Sequence, residues 1–147
     1  MFKHQYLTSL AEVKRTEKGR IYLKGTLYIQ VSACKRGGED AWNILDHEST
    51  LEDKYAVAVP KIDIIPKYLQ IALDYQTPRW HARYVGTNIN ISMDAFDFLE
   101  VEYDDDLEKQ KRYVEMIEAA EKTAEDEERI IEEYRKMKAW YLKKLFV

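Results

Sequence analysis

The chain has 147 residues, with 27 Asp and Glu against 23 Lys and Arg and a net charge of −4. That length covers one domain and an extension, and the lone cysteine, Cys34, excludes an internal disulfide and a cysteine metal cluster. The first residues, MFKHQYLTSL, lack the apolar run of a signal peptide, and no stretch reaches the roughly 20 apolar residues of a membrane helix. A soluble protein in the cytoplasm is expected.

Residues 6 to 13 (YLTSLAEV) predict a short helix capped by Thr8 or Ser9, with Leu7, Leu10 and Val13 turned inward. Arg20 to Leu23 and Thr26 to Ala33 are rich in Ile, Tyr, Leu and Val and predict two strands broken by a glycine turn at Lys24-Gly25. In the second, Leu27, Ile29 and Val31 alternate with Tyr28, Gln30 and Ser32, so one face is core. Residues 34 to 54 form a polar connector, too long to be structureless without a function or partial order from Trp42, Ile44 and Leu45. Tyr55 to Pro60 (YAVAVP) predicts a buried strand ended by proline.

Pro66 opens an amphipathic helix with Tyr68, Leu69, Ala72 and Leu73 inward, and Thr77-Pro78 predicts the cap and first turn of a second helix through Tyr84. Gly86 ends that helix, Thr87 to Ile91 reads as a short strand or extended stretch, and Ser92 caps a turn (SMDAF). A last strand, Phe98 to Tyr103, leads into the arm.

From Leu107 onward there is no Gly and no Pro, only good helix formers. Asp104, Asp105 and Asp106 stand where the positive end of a helix dipole favours carboxylates, and Lys136, Lys138, Lys143 and Lys144 crowd the other end. About forty residues span on the order of 60 Å, more than a domain of this size covers. Val114, Ile117, Ala120, Ala124, Ile131, Tyr134, Met137 or Lys138, Tyr141 and Leu145 recur at steps of three and four. That is the narrow seam of a helix lying along another helix; a solvated single helix is the alternative. The element order therefore predicts an α+β fold, a small mixed or antiparallel sheet domain over residues 1–103 followed by one long coiled-coil-type helix over residues 104–147.

Little in the chain suits catalysis. No serine sits in a nucleophile turn, His4, His47 and His81 lack ligand spacing, and Gly37-Gly38 is too short for a phosphate loop. His47, between Asp46 and Glu48, is either an isolated metal ligand or a surface loop residue. The three consecutive aspartates are explained by the helix start. No catalytic residue, metal or cofactor is assigned, and an independent enzyme is the weakest reading.

Binding remains. Residues 1 to 100 hold as many basic as acidic side chains, so the acid excess lies in the arm. Lys14, Arg15, Lys18, Arg20, Lys24, Lys35 and Arg36 meet only Glu12 and Glu17 between residues 11 and 36, while Arg79, His81 and Arg83 meet no acid between residues 77 and 92. Local basic excess is what phosphate contact requires. Arg79, His81, Arg83, Thr87, Asn88 and Asn90 gather groups suited to base edges and phosphates. The alternative is a solvated helix face and turn asparagines.

The segments LAEVKRTEKG (10–19), KYAVAVPKIDIIPKYLQIAL (54–73), VGTNINISMDAFDFLEVEY (85–103), DLEKQKRYVEMIE (106–118) and KAWYLKKLFV (138–147), in this order, resemble one half of a specificity subunit of type I restriction-modification enzymes. In that family the segment opening the spacer begins with two prolines; Leu107, Glu108 and Gln110 match its pattern, and Tyr103 and Asp104 stand at the proline positions. The domain here is shorter than usual, and there is one such unit where the family has two. The resemblance implies a target-recognition domain and a helical spacer, non-catalytic, bound to double-stranded DNA and to modification (methyltransferase) subunits that use S-adenosylmethionine. A single unit would dimerise through Val114, Ile117, Ala120, Ala124, Ile131, Tyr134, Tyr141 and Leu145 to read a two-part site. Arg79, His81, Arg83, Thr87, Asn88, Asn90, Lys35 and Arg36 are its expected DNA contacts. The rival is an interaction protein, or decoy, that keeps the arm without sequence-specific DNA binding.

Overall fold

Alternation of apolar and polar side chains lets a strand bury one face, and in the computed structural model, which describes residues 2–34, 38 and 40–145, four such strands make the main sheet. They are β2 (Ala11–Arg15), β4 (Leu27–Gln30), β5 (Trp42–Ile44) and β7 (Tyr55–Pro60), ordered β2-β7-β4-β5 and antiparallel throughout. The register sets Ile29 opposite both Ala56 and Trp42, and Leu27 opposite both Ala58 and Ile44, in cross-strand rows. Leu27, Ile29, Val31, Trp42, Ala56 and Ala58 are buried. On the opposite face Val57 joins Tyr22 and Leu45 in a second small cluster, with Tyr28 and Leu51 against it. Strand β7 is thus buried on both faces at its centre, which is why it reads as an unbroken apolar run. A short ribbon of β3 (Ile21–Tyr22) and β6 (Ser49–Thr50) stands apart, and β1 (Phe2–Tyr6) pairs with β8 (Glu100–Asp104).

Several elements differ from their sequence expectations. The expected helix over residues 6–13 is one turn, α1 (Leu7–Leu10); Val13 lies in β2, where pairing with β7 overrides local helix preference. Leu7 and Leu10 are buried as expected. The N-terminal strand β1 was not anticipated. The connector is partly ordered by β5 and β6. Residues 87–91 form no strand; they run as turn and bend beside residues 31–34, with Cys34 N–H donating to the Ile89 carbonyl at 2.6 Å and Ile91 N–H to that of Val31 at 2.8 Å. Ser92 precedes a 3-10 helix (Met93–Phe98), but its side chain makes no capping bond.

The largest difference is α2, one helix from Pro66 to Tyr84 with Pro78 inside it, rather than two. A proline there removes one backbone hydrogen bond and normally breaks a helix. Packing holds this one together. Leu69, Leu73, Thr77, Trp80 and His81 form a buried stripe, and the Thr77 hydroxyl, instead of capping, accepts the Trp42 indole N–H at 2.9 Å. Trp80 stacks on Phe96 with centroids 5.2 Å apart and donates to the Ala95 carbonyl at 2.7 Å, while Trp42 meets Phe96 edge-on. Sheet, helix and 3-10 segment therefore share one aromatic core. Gly86, at φ +64°, ends α2 by donating to the His81 carbonyl at 2.7 Å from a left-handed conformation that costs glycine little.

Asp74 of α2 is half-buried, with its Oδ1 atom lacking a hydrogen-bond partner among the described residues. Burial, with Asp40 nearby, pushes its carboxyl up to about 6 from an ordinary 3.8. A carboxyl raised in the folded state opposes folding as pH rises from about 3.8 to about 6, and fully above that. Asp74→Asn is therefore expected to stabilise the protein at neutral pH by on the order of 1 kcal/mol, after screening of a half-exposed group. Urea melts at several pH values check this: the gain should vanish near pH 4.

The arm is α3, Leu107–Leu145. Asp106 caps it, its Oδ1 accepting the Glu108 and Lys109 N–H groups at 2.9 and 3.4 Å. Asp104 in turn accepts the Asp106 N–H at 2.9 Å, which holds its carboxyl below the usual range, and Asp105 pairs with Lys3 at 3.2 Å. Gln110, fully buried, accepts the Ile65 N–H at 2.9 Å and donates to the Asp104 carbonyl at 2.7 Å; the Tyr68 hydroxyl accepts the Asp104 N–H at 2.7 Å. The α+β architecture with a long C-terminal helix is present as expected. The chain divides into two compact units, Met1–Lys111 and Arg112–Val147. Within the second, Ile117, Ile131, Tyr134, Tyr141 and Leu145 are exposed, as are Ala120 and Ala124, with Val114 half-exposed. None of the helices described is long and apolar enough to cross a membrane.

Candidate nucleic-acid interface

Uninterrupted α2 decides where the basic residues go. Arg79 and Arg83 lie one turn apart on its exposed side, since residues at i and i+4 share a helix face. Together with Tyr6, Gln76, Trp80, Tyr84, Phe98, Leu99 and Glu100 they line a cleft of about 110 Å³. Neither arginine takes an ion pair among the described residues. Glu100, the acid in this cleft, pairs with His4 at 3.2 Å. Arg83 lies over the Tyr84 ring at 5.4 Å, and Tyr84 stacks on Phe98 with centroids 5.1 Å apart and planes 11° apart. Tyr6, Tyr84 and Phe98 are 47, 42 and 52% exposed, which is unusual for three aromatic rings at one cleft.

His81 points elsewhere. It is 6% exposed, and its Nε2 is buried without a hydrogen-bond partner among the described residues. It lines a different cavity, of about 590 Å³, with Ile29, Asn43, Tyr55, Ile91 and others. Gly38 packs so closely there that a Cβ would come 2.8 Å from that of His81. The structure therefore separates His81 from Arg79, two positions before it, and from Arg83, two positions after it, because a helical step of two turns a side chain to roughly the opposite side.

The asparagines divide as well. Thr87 and Asn88 are exposed on the turn after α2. Asn90 is exposed too, but its Oδ1 accepts the Ala33 N–H at 3.1 Å. Ala33 has φ +54°, a strained value for a residue with a Cβ, and Gln30 Nε2 holds the same bend by donating to the Ser32 and Ala33 carbonyls at 2.8 and 3.2 Å. Asn90 thus shapes a loop. Lys35 and Arg36 lie outside the described residues. His47 sits in an exposed loop with its Nδ1 on Asp46 Oδ1.

The aromatic side of the Arg79 and Arg83 cleft was not among the sequence candidates. Tyr84 and Phe98 are fourteen residues apart and meet only because the 3-10 helix folds back on α2. The alternation of Phe2, His4 and Tyr6 was the available sign of the strand that brings Tyr6 there.

No family model and no curated protein sequence matches this chain. Solved structures do. An S subunit of a type I restriction-modification system from M. genitalium aligns over 99% of this chain and 46% of its own, with TM-score 0.61 and 16% identity. A chain from a study of type I restriction-modification assembly and conformational transition aligns over 90% and 41%, with TM-score 0.70 and 12% identity. The HsdS subunit from Thermoanaerobacter tengcongensis aligns over 88% and 39%, with TM-score 0.64 and 12% identity. The chain spans less than half of each of these proteins, and across that span it has the fold of a type I restriction-modification S subunit, a sheet domain followed by a long helix.

Proposed function

We propose that this chain is a DNA-recognition half-subunit of a type I restriction-modification complex. Residues 1–103 act as its target-recognition domain and residues 104–147 as a spacer and dimerisation arm. The observation that carries this reading is the shared fold along nearly the whole chain, domain and arm alike. The exposed arginine pair, free of carboxylate partners among the described residues, adds a surface suited to phosphate. The chain supplies the address; methylation, with S-adenosylmethionine as its cofactor, belongs to the modification subunits.

The complex with modification subunits is expected to select a DNA sequence. Arg79→Ala with Arg83→Ala should weaken binding about tenfold or more and make the slope of log affinity against log salt shallower by about 2. Fluorescence polarisation over a salt series measures both. Unchanged affinity and slope would remove these residues from the interface. A complex that assembles but shows no sequence preference would instead identify an interaction protein.

The arm's exposed seam supports pairing between two copies, which would place two recognition domains on a two-fold site. Ile131→Asp with Tyr134→Asp is expected to convert a dimeric assembly to one with a single copy of this chain, read by light scattering. An assembly that already holds one copy in the wild type contradicts arm pairing.

A further inference from the structure

The cleft beside Arg79 and Arg83 is half cationic and half aromatic, and the aromatic half has no assigned role. Tyr84 and Phe98 form a parallel stack on the surface, 42 and 52% exposed, with Tyr6 beside them. Stacked rings left this open to water are poor core residues. Their exposure therefore calls for a partner with an apolar surface that lies next to negative charge. Arg83 reaches over Tyr84, so cation and ring present one composite surface, and Arg79 stands one helical turn away.

We propose that Tyr84 and Phe98 are DNA contacts, packing against the deoxyribose face of one strand between phosphates held by Arg79 and Arg83. The inference rests on the DNA-recognition reading and names residues and a contact type that it does not. Charge favours the DNA backbone over a protein partner: the two arginines take no ion pair among the described residues and stand beside one carboxylate in the cleft lining, Glu100, which lies 3.2 Å from His4 Nε2. The spacing agrees, since residues one turn apart stand roughly 6 Å apart and can meet neighbouring phosphates of a strand. Sugar contact carries no sequence information, so this cleft fixes register on the duplex while base reading falls to other groups.

Salt separates the two halves of the cleft. Removing an arginine reduces counterion release and flattens the salt dependence; removing a ring takes away nonionic contact and leaves the slope alone. The experiment uses the assembled complex of this chain with its modification subunits and a duplex containing its site. A second duplex of unrelated sequence tests the sugar contact, and Tyr84→Ala, Phe98→Ala, the double variant and the milder Phe98→Leu are compared with the wild type. The double variant is expected to bind both duplexes about tenfold more weakly with the wild-type salt slope, and Phe98→Leu to lie between.

Affinity within twofold of the wild type overturns the proposal and leaves DNA recognition standing. Loss of assembly with the modification subunits, for a variant whose circular dichroism is unchanged, also overturns it, because the rings would then face a protein. Weakened binding to the cognate duplex alone would overturn the sugar contact in favour of base reading. A wild-type complex that binds no DNA overturns both this proposal and the functional reading beneath it.

Discussion

Trp42→Ala should lower the stability of the domain by about 4 kcal/mol, the largest loss expected from a single truncation here. The side chain is 2% exposed and, with Trp80, is the largest in the core between sheet and helix. Its removal leaves a cavity against Phe96 and takes the indole N–H from Thr77, whose side chain is fully buried. It also removes one of the contacts that tie β5, the edge strand of the main sheet, to a helix containing a proline, leaving the Gln70 Nε2 bond to the residue 42 carbonyl. Domains of this size hold about 5–15 kcal/mol in total, so Trp42→Phe should be measured beside it. Phe retains most of the apolar surface and loses the hydrogen bond, for an expected cost of about 1–3 kcal/mol. Urea unfolding followed by far-ultraviolet circular dichroism gives both values. A loss below about 1 kcal/mol for Trp42→Ala would mean that the core does not depend on this joint.

Gln110→Met should cost about 3 kcal/mol, although it nearly conserves volume. Gln110 sits in the first turns of α3 with no exposed surface, and its amide serves two backbone groups, accepting from the Ile65 N–H and donating to the Asp104 carbonyl. A thioether can replace neither bond. Each buried group left unpaired costs about 1–3 kcal/mol, whereas the exchange of apolar volume alone would be worth little. Hydrogen exchange adds a local measurement, because the Ile65 amide should lose protection more than the amides of β7. If Gln110→Met melts like the wild type and Ile65 stays protected, the amide is not the anchor. Ile65 is the residue before α2, and Asp104 ends β8. One glutamine thus joins the starts of two helices to the end of a strand.

Much of the site was legible in sequence only as a list of residue types. Arg79, His81 and Arg83 read as one basic group because they are close in the chain, yet a helical step of two separates His81 from its neighbours. Asn90 read as a hydrogen-bonding group for DNA, and in the structure it holds the left-handed turn at Ala33. Thr77-Pro78 carried a strong local signal for a helix start. The signal was real chemistry outweighed by packing: Trp42 claims the threonine hydroxyl, and the buried stripe carries the helix through the proline. The rings of Tyr84 and Phe98 gave no sign of forming a pair, because nothing local links them.

What the amino-acid sequence determined by itself is what depends on neighbours within a few residues. The long helix from Leu107, capped by Asp106, follows from propensity and the absence of Gly and Pro, and β4 and β7 follow from alternation and an apolar run. Only the tertiary structure decided the pairing of β1 with β8, which joins Phe2 to Asp104 across the domain, and the continuity of α2. It also decided which of the basic and aromatic residues share a cleft. The physical reason is range: backbone preference and helix capping act over one turn, while burial, cross-strand pairing and side-chain hydrogen bonds act between segments whose meeting no local pattern records.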